Sequence, residues 1–213
     1  LIRNHWLLSF TQVSHRFGTR TLFSELTLSL PESRVVLTGA NGSGKTTLLL
    51  IAAGILSPSQ GVVSFNQQNV ADIALRNQIG ISASKVNLPG FFTATDMLAF
   101  HGRQFNCKPD CHWADYRWVN AFGLTPFLNT RVDDLSLGNY KKLSLILALM
   151  HSPELLLLDE PTNGLDDKTR SALEDCFETY AGQLIIASHE PQVFASNSGV
   201  RHLHLDASGV HDR

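Results

Sequence analysis

At 213 residues, with 43% hydrophobic and 17% charged side chains, the chain has the composition of a compact folded domain and not of a disordered one. Its formal net charge of -2 gives no electrostatic reason to expect nucleic acid or an acidic membrane surface as a partner. The 3 cysteines make no disulfide framework, and the longest apolar runs, 143–150 and 155–158, are far too short to span a bilayer.

The first ten residues carry Arg3 and His5 among apolar groups and show no cleavage-site pattern, so an intracellular domain is expected. Residues 7–30 read as strands, with Leu22, Leu26, Leu28 and Leu30 on one face. After the turn at Pro31-Glu32-Ser33, the short run Val35-Val36-Leu37 leads into a glycine-rich loop and then an apolar helical stretch, 46–55. Residues 62–65 resume as a strand. From about 85 to 150 the texture changes to helical spacing and aromatics: Met97, Leu98, Phe100 and Phe105, then Trp113, Tyr116, Trp118 and Phe122. That pattern predicts a small helical lobe with its own core, not a ligand-binding aromatic box. Cys107 and Cys111 lie near His101 and His112, but Pro109 intervenes and the spacing fits no usual zinc pattern, so they are read as ordinary lobe residues. Residues 155–158 and 184–187 suit strands buried on both faces, and 200–205 with the tail suit a final pair of short strands.

The loop Gly39-Ala40-Asn41-Gly42-Ser43-Gly44-Lys45-Thr46 fits the phosphate-binding pattern at every fixed position, between a strand and a helix as its chemistry requires. Glycines let the backbone curl so that successive N–H groups face phosphate oxygens, and the next helix offers its positive end. Lys45 can reach the outer phosphates of a nucleotide, and the Thr46 hydroxyl can hold Mg2+. The four-leucine run ends in Asp159-Glu160. Asp159 is placed to hold Mg2+ through water, and Glu160 to polarise an attacking water as general base.

With these residues in place, nearly the whole chain resembles the ABC ATPase family. The stretch Asp159-Glu160-Pro161-Thr162-Asn163-Gly164-Leu165-Asp166 is close to that family's second carboxylate motif joined to its D-loop. Leu135-Ser136-Leu137-Gly138-Asn139 is similar to its signature, Leu-Ser-Gly-Gly-Gln, and His189 to its switch histidine. Phe17, within Ser14-His15-Arg16-Phe17-Gly18, matches the ring that stacks on adenine.

The resemblance implies an α/β fold: a P-loop NTPase core of mixed/parallel sheet with flanking helices, an N-terminal antiparallel β subdomain and a small helical lobe. It implies one domain over 1–213, with 1–84 and 151–213 as the ATP-binding core and 85–150 as the lobe carrying the signature. Nucleotide binding falls to Phe17, Gly39, Asn41, Gly42, Ser43, Gly44, Lys45, Thr46 and Thr47. Lys45, Glu160 and His189 form the catalytic set, with Thr46 and Asp159 serving Mg2+. Ser136, Gly138 and Asn139 would meet the γ-phosphate held by an opposing subunit, and Asp166 would work across that interface.

The sequence departs from the family pattern in two places. Leu137 replaces the signature's first Gly and Asn139 its Gln, while Ser136 and Gly138 keep the hydroxyl and the backbone N–H. Where the family places a Gln that contacts Mg2+ and the attacking water, alignment of the flanking segments puts Ser84. Its shorter side chain predicts weak or water-mediated Mg2+ contact and slow hydrolysis by the chain alone. By resemblance, the chain is expected to bind and hydrolyse ATP and so power transport through a separate integral membrane subunit. It would sit on the cytoplasmic face of the membrane and pair with a second nucleotide-binding domain, as a homodimer or with a related partner. The short tail after His189 and the form of the signature favour export. The competing expectation is a soluble non-transport ABC ATPase acting on DNA or ribosomes. Paired nucleotide domains, a coiled-coil insertion or a basic surface would favour it; the sequence has none, so no nucleic acid is expected.

Overall fold

The computed structural model describes residues 6–107, 111–189, 199–206 and 209–212; Arg3, His5 and Pro109 lie outside them. Strands β1 (Leu8–Phe17) and β2 (Arg20–Leu30) form an antiparallel hairpin. The chain then leaves for a second sheet through β3 (Arg34–Thr38) and returns as β4 (Gln60–Phe65) and β5 (Gln68–Asn69), completing a four-stranded sheet in the order β2-β1-β4-β5. The hairpin is not a simple alternation. Gln12 and Glu25 hold φ values of 50° and 51°, and the register shifts around Val13 and His15. Such bulges re-aim side chains. Here Phe23 takes the buried position at 3% exposure, while Leu22, from the leucine face of the sequence, lines the cavity described below.

The second sheet has six strands in the order β10-β9-β3-β8-β7-β6. Its members are β6 (Ile79–Ser82), β7 (Leu155–Asp159), β8 (Gln183–Ala187), β9 (Val200–Asp206) and β10 (Gly209–Asp212), besides β3. All pairs are parallel except β9 with β10. The continuous apolar runs are explained by burial on both faces. Leu155, Leu157, Val35, Leu37 and Ile185 face one core, and Leu156, Leu158, Val36, Leu184 and Ile186 face the other. All four leucines of β7 are fully buried, and each contributes roughly 1.5–3 kcal/mol by leaving water.

Helix α1 (Lys45–Ala52) covers the first core with Leu48, Leu49 and Ile51. The other face is covered by α4 (Leu137–Met150) and α5 (Asp167–Thr179), with α2 (Ala94–Gln104) and α3 (Arg117–Ala121) packed beyond. Helix α2 starts where Thr93 and Asp96 exchange capping bonds. The helical segment does not own a separate core. Met97, Leu98, Val119 and Phe122 are continuous through α4 with Val36 and Leu156 of the sheet. The physical reason is α4 itself, buried from Lys142 to Met150, which belongs to both layers. Among the described residues no helix is long and apolar enough to cross a membrane.

Candidate active site

The parallel strands deliver the chemistry to one edge, because each ends at its carboxyl end on the same side of the sheet. The glycine loop follows β3, Asp159 ends β7, Ser84 lies just past β6 and His189 just past β8. A cavity of about 720 Å³ opens there. Its lining includes Phe17, Asn41, Gly42, Gly44, Lys45, Thr46, Thr47, Ser84, Asp159 and Glu160. Residues far apart in sequence are therefore brought to a single site.

Gly44 is the residue before α1, with φ 111°, and a Cβ there would come within 3.0 Å of the Phe23 ring. Both the backbone angle and the space demand glycine. Helix α1 thus begins at the cavity wall, and the N–H groups of its first turn have no partner within the helix. Lys45, 6% exposed, donates from Nζ to the Gly39 carbonyl at 2.7 Å and to that of Ala40 at 3.3 Å. Arg20 donates to the Gly42 carbonyl at 2.8 Å, bracing the loop from the hairpin.

Asp159 is 2% exposed. Its Oδ2 accepts from Thr46 Oγ1 at 2.8 Å and from Ser84 Oγ at 3.2 Å. Its Oδ1 is buried and has no hydrogen-bond partner among the described residues. A hydroxyl beside an unpaired carboxylate oxygen is a hard-oxygen donor set, and Mg2+ takes one or two such protein ligands while keeping several waters. The residues present fit that ion. Ser84 reaches the same carboxylate from the position where a longer Gln was expected by resemblance.

Glu160 has φ 45°, unusual for a residue with a side chain. Its N–H donates to the Ala187 carbonyl at 2.8 Å, which holds the turn in place. The Glu160 Oε2 lies 2.7 Å from His189 Nδ1 and accepts from the His189 N–H at 3.3 Å. The two residues are thus already joined. Phe17 is 49% exposed at the rim, with His15 edge-on at 4.8 Å and the Lys85 ammonium 5.6 Å from its ring centre.

The signature residues occupy the start of α4. Ser136 caps the helix, its Oγ accepting from the Asn139 N–H at 3.3 Å. Leu137 is 79% exposed at the cavity mouth. A Cβ at Gly138 would lie 2.7 Å from the Gly164 carbonyl, so glycine allows the signature to pack against the D-loop. Asp166 caps α5, accepting from the Thr169 N–H and hydroxyl, each at 2.8 Å, and it also accepts from Lys142. The Lys142 bond, with those from Thr169, holds its carboxyl well below the usual range.

Arg20, Lys85 and Lys141 line the cavity without belonging to any of the motifs. Lys141 lines the cavity and donates from Nζ to the Asp159 carbonyl at 2.7 Å. Burial pushes its pKa down, against the pull of Asp159 and Glu160. A pair of lysines near the start of a mostly apolar helix was the available signal, but only the fold shows that both are drawn in, Lys141 to the cavity and Lys142, 8% exposed, to Asp166.

The ABC transporter family profile matches residues 23–163. A putative ABC transporter ATP-binding protein of Archaeoglobus fulgidus is 37% identical over 179 residues, covering 79% of this chain and 74% of that protein. The cytochrome c biogenesis ATP-binding export protein of Novosphingobium aromaticivorans is 33% identical over 186 residues, 85% of this chain and 87% of that protein. Against other curated relatives the chain spans less, 54% of one and 10% of another. In fold it is similar to a dimeric ATP-binding cassette in a post-hydrolysis state bound to ADP and Pi, with a TM-score of 0.82, 22% identity and 97% of each chain covered. The chain belongs to the ABC transporter family and is an ATP-binding, ATP-hydrolysing domain of that family.

Proposed function

We propose that this chain supplies the energy for a transporter whose membrane-spanning part is a separate polypeptide, and that it works as half of an ATP-clamped dimer. The observation that carries the reading is the convergence of Lys45, Thr46, Ser84, Asp159 and Glu160 on one cavity whose mouth is edged by the exposed Leu137 of the signature. In this reading Phe17 stacks on adenine, while Lys45 and the loop from Gly39 to Thr47 hold the phosphates. Thr46 and Asp159 hold Mg2+, which when bound neutralises phosphate charge. Glu160, with His189 against its carboxylate, takes a proton from the attacking water. Ser136, Gly138 and Asn139 serve the nucleotide of the opposing subunit, and Asp166 lies towards that interface. Contacts to the γ-phosphate favour the closed pair, and their loss on hydrolysis reopens it.

A membrane partner and a place on the cytoplasmic face are supported by the transporter relatives, and the membrane partner also by the exposed rings of Phe91 and Phe100 on either side of half-buried Phe92, with ring centres 4.6 and 6.0 Å apart. Export is supported by the export protein among those relatives. Affinity purification from native membranes in mild detergent tests the reading. A polytopic membrane protein is expected at near-stoichiometric level; recovery with soluble factors or nucleic acid alone overturns the transport assignment.

A further inference from the structure

The peptide bond between Asp159 and Glu160 is pinned from both sides. Its carbonyl accepts from Lys141 Nζ at 2.7 Å, and its N–H donates to the Ala187 carbonyl at 2.8 Å. That peptide sets the direction of Glu160, whose φ of 45° lies in the left-handed region. An L-residue leaves that region readily unless its surroundings hold it there. The pin from β8 is a backbone bond that the sheet provides in any case. The pin from α4 is a side chain, and the helix is placed to deliver it. Ser144 Oγ lies 2.8 Å from Ser82 Oγ, and the Tyr140 hydroxyl accepts from the Leu88 N–H at 2.9 Å. These two contacts fix the first turns of α4 on either side of the segment containing Ser84. Lys141 lines the cavity beside Asp159 and Glu160, with its Nζ on the Asp159 carbonyl.

We infer that Lys141 is a positioning residue for ATP hydrolysis, holding the Asp159–Glu160 peptide so that the Glu160 carboxylate faces the site. The inference rests on the reading of Glu160 as general base. It also gives the signature helix a direct mechanical link to the base of its own chain's site, through a bond from α4 to β7. A misdirected base loses rate, not substrate, because misplacement near the reacting atoms acts on the barrier.

The experiment is a double-mutant cycle on the full chain, measuring kcat and KM for Mg-ATP and the thermal midpoint. Lys141→Met is expected to lower kcat about ten- to hundredfold with KM nearly unchanged. Lys141→Arg, which keeps a charged donor, recovers part of that loss. In a Glu160→Gln background, Lys141→Met is expected to add little further loss to the residual turnover, since it acts through a base already removed. Equal loss in both backgrounds, a raised KM with kcat kept, or an unchanged kcat each overturns the role. If Glu160→Gln itself turns over ATP like the wild type, the reading of the base fails, which is a separate and recognisable result.

Discussion

The glycine loop and the signature both sit at a helix start, yet they meet their surroundings differently. At the loop, Lys45, Thr46 and Asp159 are tied to one another or to nearby carbonyls, and Lys45 and Asp159 are almost wholly buried. At the signature, the Ser136 hydroxyl accepts from the Asn139 N–H of its own helix, and Leu137 stands 79% exposed. One region is assembled within a single chain by the sheet edge. The other presents its groups outward from a helix end, as a docking half would. Substitutions at the loop are expected to act within one chain, and those at the signature through a partner.

The largest expected effect lies in the region complete within one chain. Glu160→Gln should lower turnover by about 10²- to 10⁴-fold, the usual scale for removing a general base. The same variant should form a dimer with ATP and not with ADP, read by size-exclusion chromatography with light scattering. A monomer at saturating Mg-ATP would break the link between the two regions. A smaller effect is expected at the signature. Ser136→Ala removes one hydroxyl, with a loss of about tenfold in turnover if it donates to a phosphate oxygen. It also removes a helix cap worth about 1 kcal/mol, visible as a lower thermal midpoint. Loss of the midpoint with turnover intact would leave Ser136 a cap alone.

The smallest effect concerns Asp166, at the start of α5. Its side chain is more than half exposed, so its ion pair with Lys142 is worth little, and Asp166→Asn should shift the midpoint by roughly one or two degrees. Its folded pKa lies below the ordinary 3.8, so the stabilisation is present above that value and fades as pH falls through the folded pKa. The difference between wild type and Asp166→Asn should therefore shrink on acidification below 3.8. A difference that stays constant with pH would mean that the charge contributes nothing.

The parts legible from sequence were those whose chemistry demands a contiguous string. The phosphate loop needs its glycines at fixed steps, and a strand buried on both faces needs an unbroken apolar run, so 39–46 and 155–160 could be placed by eye. What stayed hidden depends on long-range packing. Phe23 lies off the leucine face of its strand, and only the bulged hairpin shows that it turns under Gly44. Lys141 belongs to no motif, and its place at the cavity depends on how α4 lies, held by the bonds of Tyr140 and Ser144. The shared core was hidden for a similar reason. A helix buried from Lys142 to Met150 gives no hint in its own sequence of which layer it serves.

The backbone of Glu160 carries a consequence for protein engineering. A left-handed residue with a side chain costs of order 1–3 kcal/mol, and glycine or asparagine would sit there with less strain. A redesign that scored only thermal robustness would find position 160 an attractive place to improve and would discard the carboxylate first. A heat-hardened descendant of this protein should therefore be screened for turnover at that position before any other.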